Sequence, residues 1–229
     1  MGSGGIQGLN AITGDKAIRE NFMTFATNFA RALAPVALVA AVAAPAPAAT
    51  SGDLKAVEAS LAATTSMTAD FLQADGKGRQ MAGTLSLKRP GKIRFAYGGG
   101  VNMLLVANGK TLSFIDYDVG QKSSWPIAKS PLAVLLSPNP DLGRIARVVP
   151  SESPQVVVVR ARDARRPEFG TLVLAFQRSA AAPGGLRLEG WTAIDAQNKK
   201  TTVRLSNQRY NVAIPDSAFT FADPKRKKA

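Results

Sequence analysis

From residue 53 onward apolar and polar positions alternate along the chain, and the breaks in the alternation fall at turn residues. Leu85-Ser-Leu-Lys-Arg89-Pro-Gly-Lys-Ile-Arg-Phe-Ala-Tyr97 shows the pattern best. It predicts two strands joined at Pro90-Gly91, with Leu85, Leu87, Ile93, Phe95 and Tyr97 on one face and Ser86, Lys88, Lys92 and Arg94 on the other. The same period predicts strands near 67–74, 82–89, 92–97, 102–107, 111–116, 121–126, 146–150, 155–162, 171–177, 186–194 and 199–206. Met67, Ala69 and Phe71 share one side of the first strand, and Leu112 and Phe114 share one side of the fifth. Asp75-Gly76, Pro90-Gly91, Gly98 to Gly100, Asn108-Gly109, Pro183 to Gly185 and Asp195 to Asn198 punctuate an antiparallel meander, and Asn108-Gly109 predicts a two-residue type I′ turn. One helix precedes the strands, capped by Asp53 and carrying Leu54, Val57 and Leu61 at helical spacing. The expected architecture is mainly β with few helices (α+β), in one domain over residues 49–229.

Three positions strain this pattern. Arg89 falls on the apolar face, where a bare guanidinium would cost several kcal/mol. It either snorkels into water at the strand end or latches a movable element from inside an apolar concavity. Ser130-Pro-Leu-Ala-Val-Leu-Leu-Ser-Pro138 predicts a short helix with a serine cap, a proline start and a proline stop. Leu132, Val134, Leu135 and Leu136 leave it almost no polar face, so it must be covered on most sides, either as a fixed plug or as a movable lid. Trp191 shares its parity with Arg187 and Glu189, which places it outside the inner face unless Gly190 marks a bulge.

The N-terminal region has a different character. Met23 to Arg31 followed by the apolar run Ala32 to Ala44 and by Ala46-Pro-Ala48 predicts a secretory signal peptide over 23–48, cleaved after Ala48. The run is too short and too rich in alanine for a confident membrane span, with an uncleaved anchor as the alternative. Residues 1–22 carry no core pattern and are set aside as an upstream extension or a cloning remnant.

Composition then removes whole classes of chemistry. With no Cys and no His, the chain has no thiol or Ser-His-Asp catalysis, no disulfide, no His-bearing zinc site and no lipid-modified cysteine at a mature N-terminus. Ser-x-x-Lys and glycine-rich phosphate loops are also missing. The acid pairs Asp116/Asp118 and Glu189/Asp195 sit among turn residues, where solvated acids are the rule. An enzyme is not expected, nor a cofactor or metal. Cleavage after Ala48 removes Lys16, Arg19 and Arg31 with Asp15 and Glu20, so 29 basic and 16 acidic residues become 26 and 14, net +12. Lys225-Arg-Lys-Lys228 resembles a polybasic tail, but the other cations are scattered along strands. That distribution favours an anionic membrane surface or an acidic partner over nucleic acid, unless most of these charges are simply solvated.

Several segments, in their order and spacing, resemble the outer-membrane lipoprotein carrier (LolA-type) family over residues 53–224. They are Phe71-Leu-Gln73, Lys88-Arg89-Pro90, Asn108-Gly-Lys-Thr-Leu-Ser-Phe114, Asp116-Tyr-Asp-Val-Gly-Gln121, Ser130-Pro-Leu132 and Ile214-Pro-Asp-Ser-Ala-Phe-Thr-Phe221. Where relatives often carry Trp after the Lys-Arg-Pro turn, this chain has Phe95. The resemblance implies an incomplete antiparallel β-barrel of about eleven strands around an apolar cavity, closed by a helical lid and an N-terminal helix. It implies a periplasmic chaperone, monomeric, that takes triacylated lipoproteins from an inner-membrane ABC transporter and carries them to an outer-membrane acceptor. Leu61, Met67, Phe71, Leu85, Leu87, Ile93, Phe95, Leu112 and Phe114, with Leu132, Leu135 and Leu136 of the lid, are then expected to line the acyl cavity, with Arg89 as the lid latch. The alternatives are a lipid-binding or sensing module on the same scaffold and, less favoured, an exported hydrolase or nucleic-acid binder.

Overall fold

The computed structural model describes residues 51–225, so the segments read as extension and signal peptide, and most of the basic tail, lie outside the described residues. Helix α1 (Ser51–Ala63) leads into eleven strands. These are β1 (Ser66–Asp75), β2 (Gln80–Lys88), β3 (Lys92–Tyr97), β4 (Met103–Asn108), β5 (Thr111–Asp116), β6 (Gln121–Pro126), β7 (Ala146–Val149), β8 (Val156–Ala161), β9 (Thr171–Arg178), β10 (Leu186–Ile194) and β11 (Lys200–Tyr210). All pair antiparallel in one sheet of order β6-β5-β4-β3-β2-β1-β11-β10-β9-β8-β7. The first and last strands are neighbours, and each runs longer than alternation alone suggests because it pairs along its length with the other. The two edges, β6 and β7, are consecutive in sequence yet unpaired with each other, which leaves the barrel incomplete. Residues 127–145 bridge that gap with a 3-10 turn (Ile127–Lys129) and two four-residue helices, α2 (Ala133–Leu136) and α3 (Leu142–Ile145).

The register follows the predicted parity. Leu85 faces Phe95 and Leu87 faces Ile93 across β2–β3, and all four are almost fully buried on the concave side. Val57 and Leu61 of α1 close one end of the same cluster. On the convex side Leu104, Val106 and Ile115 form a smaller cluster, covered by Ile214 and Phe219 of the C-terminal segment. Lys88 and Lys92 both pair with Asp216 at 2.7 Å, and Arg94 donates to the carbonyls of Ala218 and Thr220, so the polar face of the β2–β3 hairpin anchors this strap.

Three local expectations are corrected. Helix α1 begins at Ser51, so Asp53 lies in its first turn, where it pairs with Arg178 and complements the helix dipole without acting as the cap. The β4–β5 turn sits one residue later than the Asn108-Gly109 reading. Gly109 and Lys110 are its central residues, only Gly109 of the Asn-Gly pair has a positive φ, and the Asn108 carboxamide accepts from the Thr111 N–H instead. The lid helix is shorter than 130–138, because Ser130 to Leu132 form a preceding turn in which the Ser130 hydroxyl accepts from the Leu132 N–H at 3.2 Å.

Candidate functional site

The concave interior is built from alternate residues of nearly every strand. Phe71 from β1 and Phe95 from β3 meet edge to face at 5.1 Å, and Tyr97 closes on Phe71 at 5.3 Å while its hydroxyl donates to Gln73. Met67, Leu85, Leu87, Ile93 and Leu112 pack around this aromatic centre, each with 2% or less of its surface exposed. Leu61 from α1 and Leu132, Leu135 and Leu136 from the lid region belong to the same buried cluster. Phe114 shares the parity of Leu112 but is only half-buried, and Trp125 of the edge strand β6, opposite Leu112, is 37% exposed.

Trp191 was missed by parity. The pairing of β10 with β9 slips between Leu188 and Gly190, so a bulge carries Trp191 to the concave side. It is 4% exposed there and meets Phe95 edge to face at 6.0 Å. Gly190 makes this possible. Its φ is 149°, and a Cβ at this position would stand 2.1 Å from the Val203 carbonyl oxygen. The Gly-Trp dipeptide inside an otherwise alternating strand is the signal that could have found it.

Arg89 is the polar exception inside this apolar shell. It lies in the β2–β3 loop, held by its N–H to the Thr65 carbonyl at 2.8 Å. Its Nε donates to the Leu135 carbonyl of the lid helix at 2.7 Å. A terminal nitrogen of the same guanidinium donates to the carbonyls of Leu61 and Thr64 at the end of α1. One planar five-donor group therefore ties together two helix ends, where the last carbonyls are short of intrahelical donors. Burial pulls the Arg89 pKa down to about 10, still far above neutrality, so the group is charged wherever the protein operates. Beside it, the Gly91 N–H donates to the Leu136 carbonyl at 3.0 Å. Gly91 has a φ of 74°, and a Cβ there would collide with Gly109, so the loop can pack against the β4–β5 turn only with glycine at this position.

Beside Arg89 the interior is nearly full. The space left beside Arg89, walled by Leu61, Met67, Phe176, Leu186 and Leu188, is about 10 Å³, room for roughly one water. Among the described residues no cluster of acids could hold a metal, and no helix is long and apolar enough to cross a membrane. What the arrangement can do is bury apolar surface behind a segment held by charged hydrogen bonds.

Comparison with known proteins decides the family. Residues 62–222 match the family model described as outer membrane lipoprotein carrier protein LolA. The chain belongs to that family. It is 29% identical over 201 residues to an outer-membrane lipoprotein carrier protein of Chromobacterium violaceum, covering 84% of this chain and 93% of that one. It is 28% identical over 171 residues to the protein of the same name from Dechloromonas aromatica, covering 70% and 79%. Among solved structures, a LolA superfamily protein from Nitrosomonas europaea is similar over 74% of this chain and 97% of its own, at 12% identity and a TM-score of 0.43. The MucA/MucB complex of Pseudomonas aeruginosa is similar over 75% of this chain and 62% of that one, at 11% identity and a TM-score of 0.41. At these scores the two structures add nothing to what the family model shows.

Proposed function

We propose that this protein is a periplasmic carrier that shelters the acyl chains of lipoproteins between the concave sheet and the lid, on the way from the inner to the outer membrane. The observation that carries the reading is Arg89, which joins the lid helix to α1 across a fully apolar interior. The carrier names of the relatives supply the cargo class. Leu61, Met67, Phe71, Leu85, Leu87, Ile93, Phe95, Leu112, Phe114, Leu132, Leu135 and Leu136 form the acyl surface, and Trp191 joins them. Delivery from an inner-membrane ABC transporter to an outer-membrane acceptor, by a monomer and without catalysis, belongs to the same reading.

Thermodynamics explains why the empty carrier is closed. Each buried CH₂ contributes roughly 0.8 kcal/mol, so three fully sheltered chains of ~15 carbons would bind by on the order of 30 kcal/mol. That exceeds the practical ceiling of about 20 kcal/mol, and such a complex would not release its cargo. The void beside Arg89, about 10 Å³, accommodates none of this, since ligand sites usually need roughly 300–1,000 Å³. Cargo must therefore displace the lid and break the Arg89 hydrogen bonds, each worth about 1.5–3 kcal/mol to a charged donor. Reclosure returns that free energy when cargo leaves, which lowers net affinity into a range that permits hand-over.

The test is transfer of a radiolabelled lipoprotein from preloaded carrier to outer-membrane vesicles. Arg89→Leu should load but transfer poorly, because reclosure no longer offsets the lost acyl burial. Equal transfer by Arg89→Leu and wild type would return Arg89 to an ordinary strand-end arginine. Mass spectrometry of material co-purified from the periplasm checks the cargo: free lipid without lipoprotein would favour the lipid-sensing alternative.

A further inference from the structure

A cleft of about 200 Å³ lies against the lid and shares no lining residue with the space beside Arg89. Its lining includes Leu142, Ala161 and Leu172, all buried members of the interior cluster, so the cleft lies against the concave core. One wall is the lid itself, from Ser130 to Ser137, with half-buried Val134 facing the cleft. The opposite rim carries Arg144, Arg162 and Arg166, together with Asp141 and Asp163.

The charges on this rim are unequal in availability. Asp163 is committed internally: it accepts from the Arg165 N–H at 3.0 Å and from Arg166 Nε at 2.9 Å. The Arg166 guanidinium also stands over the Phe169 ring, 4.8 Å from its centroid, so it is held by two partners. Asp141 approaches Arg144 only at 3.9 Å. Among the described residues Arg162 forms no ion pair with an acid, whereas the charge of Arg165 lies close enough to Asp163 to help lower that carboxyl's pKa. Six arginines fall between residues 144 and 166 against two acids, Glu152 and Asp163. Two of the six, Arg147 and Arg160, stand directly opposite each other on the exposed β7–β8 edge, a like-charge pairing that costs stability in isolation. The Arg147 guanidinium donates to the Gly143 and Ala146 carbonyls, at 3.3 and 2.6 Å, which offsets part of that repulsion; an external polyanion would offset more.

We propose that this cleft is a docking site for an anionic phospholipid bilayer, in which the rim arginines take headgroup phosphate and the apolar lining receives the first methylenes. Guanidinium forks suit phosphate geometry, and a volume of about 200 Å³ admits a headgroup or a chain end but not a whole lipid. The inference rests on the carrier reading only in its consequence: a membrane held here meets the chain at the opening beside the lid, where acyl chains would enter or leave. The site itself is a property of the arginines and the apolar lining.

The experiment uses the mature protein and vesicles free of lipoprotein, either pure phosphatidylcholine or phosphatidylcholine with one-third phosphatidylglycerol, scored by flotation. Wild type should bind only the anionic vesicles, and binding should fall steeply as salt rises. Arg144→Gln/Arg162→Gln/Arg166→Gln should lower the partition coefficient by about fivefold per arginine, roughly a hundredfold together. The control Lys55→Gln/Lys110→Gln/Arg209→Gln removes the same charge from exposed positions away from the rim and should lose far less. In parallel, short-chain phosphatidylglycerol below its micelle concentration should shift amide resonances within 128–137 and 161–172. Equal losses in the two triple variants, absent binding by wild type, or shifts spread over the whole surface would each overturn the site. Lipoprotein transfer that persists while vesicle binding fails would remove this docking site and leave the carrier reading intact.

Discussion

The sheet carries an apolar cluster on each face, and the two are covered in opposite ways. On the convex side five buried residues, Leu104, Val106, Ile115, Ile214 and Phe219, are closed by a strap held by several separate ties: Arg94 on the Ala218 and Thr220 carbonyls, and ion pairs to Asp216 and Asp223 that lie in solvent. On the concave side a far larger cluster is closed by residues 127–145, whose central tie is a half-buried guanidinium on backbone carbonyls. A strap tied by exposed ion pairs is screened by water and salt and owes its hold mainly to the apolar residues beneath it. A lid tied by one desolvated cation behaves differently, because its hydrogen bonds are strong when made and are lost together. The first arrangement suits permanent closure. The second suits closure that must end.

Removing the interior partner that the bulge creates should show the largest effect. Trp191→Ala removes the ring that meets Phe95 and should cost about 3–5 kcal/mol in urea unfolding. A loss below about 1 kcal/mol would mean that the concave cluster is no more cooperative than the convex one. Next comes Gly190→Ala, which sets a methyl against the Val203 carbonyl in a backbone conformation that alanine resists. It should cost about 1–3 kcal/mol and red-shift Trp191 fluorescence as the bulge relaxes.

Arg89 should act locally where the core acts globally. Arg89→Leu should leave the urea midpoint close to wild type but raise hydrogen exchange of lid amides, Ala133 to Ser137, by at least tenfold. One lost charged hydrogen bond of about 1.5–3 kcal/mol is enough for that change. Arg89→Lys should fall between, since three donors on a point charge cannot hold three carbonyls on two helices equally well. Exchange unchanged in both variants would make the lid a fixed plug.

The smallest effect belongs to the strap. Hydrogen bonds from Lys88 and Lys92, with their charges, hold the Asp216 carboxyl at about 2, below its ordinary 3.8. A folded-state pKa below the unfolded one stabilises above about pH 4, and that contribution disappears as pH falls toward 2. Between those values wild type should therefore lose stability relative to Asp216→Asn, as measured by urea midpoints at each pH. Parallel curves would show that Ile214 and Phe219 hold the strap alone.

Much of this molecule was legible in advance, for reasons that differ from residue to residue. Leu85, Leu87, Ile93 and Phe95 were readable because successive Cβ atoms on a strand must point to opposite faces. Arg89 was readable as an inward charge by the same count, and a buried guanidinium needs acceptors. The identity of those acceptors was only half legible. The lid carbonyl was expected, but Leu61 and Thr64 come from a helix that reaches Arg89 only once β1 has paired with β2. The short lid helix escaped because Ser130 and Pro131 serve a turn that the larger bridge from β6 to β7 imposes.

Alternation, turn chemistry and charge by themselves determined an antiparallel meander, its inner face and the placing of a cation within it, because each depends on bonded geometry over a few residues. Only the tertiary structure decided which strands remain unpaired at the edges, where the C-terminal strap lies, which arginines gather beside the lid and on which face Trp191 stands. Those outcomes depend on contacts between segments far apart in the chain. A single slipped register at Gly190, permitted by the missing Cβ opposite Val203, reverses the face of every residue that follows it in the strand.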